Sequence, residues 1–444
     1  MIDSSATIPS RKAMRDFLAI WAGQVISLFG SSLTSFSLGV WVYQRTGMAT
    51  KFALMGFFSS FPAILFSPVA GALVDRWDRR WAMILSDFGS ALTVLFLAAL
   101  LFMGHLQLSS IYAALVVSSL FTAFQWPAYS AITALLVPKD QLGRASGIEQ
   151  SGQAASQLLA PAAAGFLLAA IRIEGVMLID IATYAASLLI LLWVRVPRLS
   201  APLGEKPEES RLFAQIRVGW RFVVERPGLL ALLFYLAMIN LLAGFNLALA
   251  TPLVLSMASP AALGIVLSVA SAGLLAGGFV MSVHGGPRRR MHGVLGFGLL
   301  YGVGFLLVGL GRSIAAIAAA SFLLMLSVPL INGCSQAIWQ SKVPPRLQGR
   351  VFAVRRMIAQ ATLPVAFLIA GPLADWVFQP LLRRGTLAGP LSRIVGAGNG
   401  RGIGLLYVLL GVLALGAGLL AWRSARVRSL EDDLDDWQDA GAPS

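Results

Sequence analysis

A helix needs roughly 20 apolar residues to cross a bilayer, and this chain supplies such runs one after another, parted by short polar turns. The runs at 52–73 and 81–103 frame the sharpest of these turns, the ten residues from Gly71 to Arg80, which hold Asp75, Arg76, Asp78, Arg79 and Arg80. Three arginines and two aspartates are costly in hydrocarbon, so the turn belongs at a water interface, and its arginine excess assigns that interface to the cytoplasmic side. Gly71 is expected to let two helices approach closely. From charge alone, a solvated basic turn with no further role reads equally well.

Composition requires a bilayer as solvent. Of 444 residues, 57% are hydrophobic and 12% charged, with a mean hydropathy of +0.77, and a water-soluble chain has no interior large enough for that much apolar surface. The net charge of +14 does not point to nucleic acid, because the basic residues come in small groups between apolar runs and form no patch with interleaved aromatics. One cysteine, Cys334, excludes an internal disulfide and a cysteine-built metal site, and the scattered His105, His284 and His292 make no zinc site. No cofactor is expected. There is no G-x-x-x-x-G-K-[ST] loop to support direct nucleotide drive, and no His, Cys or carboxylate cluster at catalytic spacing.

Polar residues inside the spans carry the functional signal. The first span, 17–42, places Gln24, Ser27, Ser31 and Ser35 on one helical stripe that faces something other than lipid; hydrogen bonding between helices accounts for it equally well. Asp87, about two turns inside the third span, requires a partner, which Arg79, Arg80 or the basic loops further along the chain could supply. The fourth span, 111–137, carries Gln125-Trp126-Pro127, and the fifth, 149–171, carries Gln150, Gln153 and Gln157. Asp180 sits in apolar surroundings in the sixth, 175–194, where it is either a proton carrier or an interface carboxylate bound to backbone N–H groups.

A polar linker with Pro197, Pro202 and Pro207 then leads to an amphipathic stretch, Leu212 to Arg226, suited to the headgroup plane. Six further runs follow at 229–257, 261–283, 294–310, 314–340, 351–378 and 402–422, which makes twelve. The expected organisation is a six-helix bundle at 1–195, a cytoplasmic linker at 196–227, a second bundle at 228–424 and an acidic cytoplasmic tail at 425–444. Residues 1–14 are too polar for a signal-peptide core, so no cleaved leader is expected. With the N-terminus inside, 26 of the 34 Lys and Arg fall in cytoplasmic segments, a firm orientation with both termini cytoplasmic. Half of the eight external ones, Arg383, Arg384, Arg393 and Arg401, lie in the long loop before the last span.

The two halves also repeat. Val137-Pro138 and Gly143-Arg144 align with Val343-Pro344 and Gly349-Arg350 at an offset of 206 residues, which also carries Gly165 onto Gly371. In the second half the opening turn survives as Gly285-Gly286-Pro287-Arg288-Arg289-Arg290, without its aspartates. Duplication explains this better than chance.

Twelve spans in two repeats, a central linker and Gly71-x-x-x-Asp75-Arg76-x-x-Arg79-Arg80 resemble the major facilitator superfamily over essentially the whole chain. Gln24-x-x-Ser27-x-x-Gly30, Asp87, Gly143-Arg144, Asp180 and Gly371-Pro-Leu-Ala-Asp375 are similar to its macrolide-efflux and enterobactin-exporter branch. The acidic tail resembles exporters that accompany siderophore or nonribosomal-peptide assembly. One departure is Trp77-Asp78, where the family signature more usually has glycine after Asp-Arg.

The resemblance implies an all-α membrane fold of twelve helices in two pseudo-symmetric six-helix bundles, rocking around a central cavity. It implies a monomeric, non-enzymatic exporter of an amphipathic small molecule in the inner membrane, coupled to protons. Gly71, Asp75, Arg76, Arg79, Arg80, Asp87, Arg144, Glu149 and Arg350 would form the cytoplasmic gate, with Asp75 capping the start of span eleven. Spans one, four, seven and ten would supply the cavity: Gln24, Ser27, Ser31, Gln125, Trp126, Asn240, Asn246, Asn332, Gln336 and Trp339. Asp180 is the candidate coupling acid. Uptake, or the flipping of lipids or lysolipids, fits the same fold.

Overall fold

The computed structural model describes residues 11–138, 141–194, 209–384, 388–396, 398–424 and 428–433. These form α1 (Arg11–Thr46), α2 (Ala49–Arg76), α3 (Arg79–Phe102), α4 (Leu108–Leu136), α5 (Leu142–Trp193), α6 (Glu209–Val224), α7 (Pro227–Leu255), α8 (Pro260–His284), α9 (Arg290–Leu310), α10 (Ile314–Lys342) and α11 (Pro345–Pro372). A π-helical turn, Leu373–Phe378, then leads to α12 (Gln379–Arg384), α13 (Ala388–Val395), α14 (Arg401–Arg423) and the short α15 (Leu430–Asp433). Hydrocarbon offers the backbone no hydrogen-bond partner, so apolar runs of this length become helices that satisfy their own N–H and C=O groups. Leu189, Phe279 and Leu420 stay 67%, 69% and 68% exposed, as side chains do when lipid is the solvent.

Among the described residues, eleven helices are long and apolar enough to cross a membrane. The shortfall from twelve lies in the 52-residue α5, which breaks at Arg172 (φ 59°, ψ 179°). Unbroken, such a helix would run about 78 Å, more than twice the hydrocarbon core. Its arms, 142–171 and 173–193, are therefore the fifth and sixth crossings, joined without a loop. At the break, Arg172 pairs with Glu174 at 3.2 Å.

Two compact units emerge. The first comprises Met1–Gly47, Leu54–Leu203 and Leu263–Ser268; the second comprises Met48–Ala53, Gly204–Ala262 and Val269–Ser444. In the first, α1 packs along α5, and α3 packs between α4 and α5. Ser268 donates to the Leu158 carbonyl at 2.6 Å in the same unit. In the second, α9 packs against α10 and α14, and α11 against α6 and α7. There Asp375 caps the start of α2, accepting from Ala49 N–H at 3.0 Å, Thr50 N–H at 2.7 Å and the Thr50 hydroxyl at 2.6 Å.

Backbone geometry reproduces the repeat. Helices α4 and α10 both end on an extended valine, Val137 at φ −100°, ψ 132° and Val343 at φ −108°, ψ 122°. The basic turns differ in how they are capped. Asp78 caps α3, accepting from Arg80 N–H at 3.0 Å, whereas Arg289 at the same place before α9 offers no side-chain cap. The tail fills that gap: Glu431 accepts from Arg290 N–H at 3.0 Å and Met291 N–H at 2.8 Å, while its carbonyl accepts from Lys342 at 2.8 Å. The second copy has lost its aspartate, and a carboxylate from about 140 residues downstream takes the position.

Two expectations change. A Cβ at Gly71 would meet nothing within 4 Å, so Gly71 marks no close helix approach among the described residues. The amphipathic linker helix α6 docks on α11 instead of offering its whole face to headgroups. A Cβ on Gly219 would come within 2.6 Å of the Arg350 carbonyl, and Phe222 and Val223 are buried.

Replacing Glu431 by Gln weakens the interaction with the α9 N-terminus and is expected to cost about 1 kcal/mol. A lower midpoint in detergent-solubilised thermal unfolding is the check, with Asp432→Asn nearly silent because its contact with Arg289 is long, at 3.9 Å, and exposed.

Candidate functional site

In the first unit a cleft of about 380 Å³ opens along α1, α4 and both arms of α5. The α1 stripe supplies Gln24, Ser27, Ser31 and Ser35; α4 supplies Ser118, Ser119, Thr122, Gln125, Trp126 and Tyr129. Glu149, Gln153 and Tyr184 come from α5, and Trp21 and Leu28 add apolar surface. Sequence reasoning missed most of the α4 wall, although Ser118, Thr122 and Gln125 follow one another at helical spacing.

Behind this wall lies a closed polar cluster. Asp87 is fully buried. It accepts from Gln125 Nε2 at 2.8 Å on Oδ1, and from Gln24 Nε2 at 2.8 Å and Ser187 Oγ at 2.9 Å on Oδ2. Gln125 also donates to Gln24 Oε1 at 2.9 Å, and Gln24 to Ser187 Oγ at 3.0 Å. This corrects the expected pairing with Arg79 or Arg80. Arg80 turns instead to the end of α5, donating to the Leu191 and Leu192 carbonyls at 2.8 and 2.6 Å, where a cation suits the C-terminal dipole. Asp87 is thus held by neutral donors, and two of them, Gln24 and Gln125, also line the cleft.

Asp180 shows the same arrangement further along α1. It too is fully buried, accepting from the Ser31 hydroxyl at 3.3 Å and the Thr183 hydroxyl at 3.5 Å on Oδ1. Oδ2 has no partner among the described residues. Side-chain hydroxyls, not backbone N–H groups, surround it, which removes the interface-cap reading. While donating to Asp180, Ser31 can accept from the Tyr184 hydroxyl, whose oxygen lies 2.9 Å from its own. Gly30 makes this approach possible, since a Cβ there would run into Thr183 Oγ1 and lie 3.0 Å from Asp180 Oδ1.

The second unit holds a cleft of about 290 Å³ lined by Leu233, Leu236, Ala237 and Asn240 of α7, Asn332 and Gln336 of α10, and Phe352, Arg355, Arg356, Ile358 and Ala359 of α11. Arg355 donates to Gln336 Oε1 at 2.8 Å and Ser335 Oγ at 3.2 Å, and its guanidinium lies 5.7 Å from the Trp339 ring centre. Two expected cavity residues lie elsewhere. Asn246 accepts from the Tyr407 hydroxyl at 2.9 Å and ties α7 to α14, and Trp339 is fully buried beneath Arg355.

Of the expected gate residues, Glu149 lines the first cleft and accepts from the Thr133 hydroxyl at 3.0 Å. Arg144 is exposed, and Arg79 and Arg350 are half-buried. The side chains of Asp75 and Arg76 lie outside the described residues, so the expected cap of Asp75 on span eleven does as well.

Twelve crossings and two amphipathic clefts walled by span residues describe a polytopic membrane protein with polar sites at membrane depth. Residues 20–367 match the Major Facilitator Superfamily, and the chain belongs to that family. It is 28% identical over 378 residues to macrolide efflux protein A of Streptococcus pyogenes, covering 81% of this chain and 89% of the relative. It is 26% identical over 381 residues to the multidrug efflux pump Tap of Mycolicibacterium fortuitum, covering 81% and 88%. A bacterial homologue of the human lysosomal transporter Spinster, in an inward-facing, unoccupied conformation, superposes with a TM-score of 0.71 at 16% identity over 97% of this chain and 100% of that one. A point mutant of the nucleoside transporter NupG gives 0.68 at 13% identity, over 91% of this chain and 98% of that one. The fold is accordingly the twelve-helix major facilitator arrangement of two six-helix bundles.

Gly30→Ala is expected to force α1 off the second arm of α5 and destabilise the protein by about 1–3 kcal/mol through overpacking. Combining it with Thr183→Ala should restore most of the thermal midpoint, because Thr183 is the nearest obstacle.

Proposed function

We propose that this transporter exports an amphipathic small molecule by alternating access, with protons moving the opposite way. One observation carries the reading: Gln24 and Gln125 belong both to the cleft wall and to the hydrogen-bond shell of Asp87. A ligand that engages either amide changes what Asp87 accepts, and a change of charge on Asp87 changes what the amides can offer a ligand. Ionised, Asp87 accepts three bonds; protonated, it must donate one. Of its three partners, the Ser187 hydroxyl can turn from donor to acceptor without moving a heavy atom. Asp180, joined to the cleft through Ser31, is a second coupling position of the same design.

Other features support the direction and setting. The relatives named for efflux match over most of the chain. The distribution of Lys and Arg favours cytoplasmic termini in a cell inner membrane, with the basic turns carrying Arg76, Arg79, Arg80, Arg144 and Arg350 as the cytoplasmic gate. One chain, organised as bundles at 1–195 and 228–424 around the linker 196–227, suffices as the working unit.

The test begins with accumulation of labelled macrolides, siderophores and short peptides in cells with and without the protein, and takes the responsive compound into proteoliposomes. An imposed pH gradient is expected to drive that compound uphill. Asp87→Asn should abolish gradient-driven accumulation while leaving exchange between labelled and unlabelled solute. If the gradient moves none of the compounds, proton-coupled export is wrong.

A further inference from the structure

We propose that the cleft of the second unit is an oxyanion subsite, in which Arg355 receives a phosphate or carboxylate at the head of an amphipathic ligand. It rests on the transporter reading above and names the chemistry of the solute.

The argument starts from a missing counter-charge. The cleft is walled by α7, α10 and α11, and none of these three helices contains an aspartate or glutamate anywhere along its length. Arg355 makes no ion pair among the described residues; its two bonds go to the neutral oxygens of Gln336 and Ser335. Such an arrangement is unfavourable for a half-buried guanidinium, because a charge taken partly out of water is normally paired. A guanidinium has five N–H donors in a planar fork, and these two bonds employ two of them. The remaining donors match the paired oxygens of a carboxylate or phosphate.

The surroundings reinforce this chemistry. Gln336 and Ser335 hold the guanidinium in place, and the Trp339 ring beneath it is fully buried, so the cation is positioned before any ligand arrives. Arg356, exposed at the same cleft, adds a second positive charge. Asn332 adds an amide for the polar part of a ligand, while Leu233 and Phe352 offer apolar wall to a hydrocarbon body. The cleft of the first unit has the opposite character: its one charged lining residue is Glu149.

Binding of radiolabelled dodecyl phosphate to the full-length protein in lipid nanodiscs, with empty nanodiscs subtracted, tests the proposal. Wild type is expected to bind dodecyl phosphate at least tenfold more tightly than dodecyltrimethylammonium or dodecanol. Arg355→Gln should abolish that preference while leaving dodecanol binding unchanged, and Arg355→Lys should retain part of it. A purely structural tie from α11 to α10 would alter thermal stability and not this ratio. Equal affinity of wild type for the anionic and cationic probes overturns the proposal without recourse to any variant, and so does a preference that survives in Arg355→Gln. Inorganic phosphate separates the sources: weak competition supports an amphiphile headgroup, and competition at the concentration of dodecyl phosphate overturns the amphipathic part. The assay uses no gradient, so a failure of proton coupling leaves its outcome independent.

Discussion

Two carboxylates taken out of water, with no cation paired to them among the described residues, set the terms for the first unit. Asp87 and Asp180 are buried against the polar stripe of α1, held respectively by Gln24 and Ser31. Removing a partner from a buried charge costs several kcal/mol, so the stripe, the α4 amide and the α5 hydroxyl form one unit whose parts cannot be changed singly. The close approach at Gly30 brings α1 near enough for this, and the break at Arg172 lets the second arm of α5 return alongside it. The same stripe also faces the cleft, which makes it the physical link between a solute and a titratable group.

Helix ends follow a different logic of supply. The first basic turn carries its own cap in Asp78, but the second copy has only arginines and obtains Glu431 from the C-terminal tail. Asp375 likewise caps a helix that began hundreds of residues earlier in the chain. Orphan N–H groups at a helix start need an acceptor wherever one can be found. In the second half the acceptor comes from a distant segment.

Much of the site was legible residue by residue. The stripe of Gln24, Ser27 and Ser31 could be named from helical spacing, Gln125 and Trp126 from the family resemblance, and the structure puts all five around one cleft. Misplaced residues were those whose partners cannot be read along the chain. Asp87 looked like a neighbour of Arg79 and Arg80 because they are close in sequence, yet Arg80 is drawn to the carbonyls closing α5. Asn246 and Trp339 had the polarity of cavity residues but belong to helix contacts. Arg355 lines a cleft whose three walls hold no acid, which its place near the start of α11 did not announce.

Solvent, span number and repeat follow from the amino-acid order alone, because apolar run length and charge are properties of contiguous residues and the bilayer imposes one thickness on all of them. Pairing was decided in three dimensions. Which amide meets which carboxylate depends on where α1, α3, α4 and α5 cross, and a hydrogen bond forms within about 3 Å regardless of the separation in sequence. Hence Gln24 and Ser187, 163 residues apart, serve one aspartate, and no local pattern could have announced it.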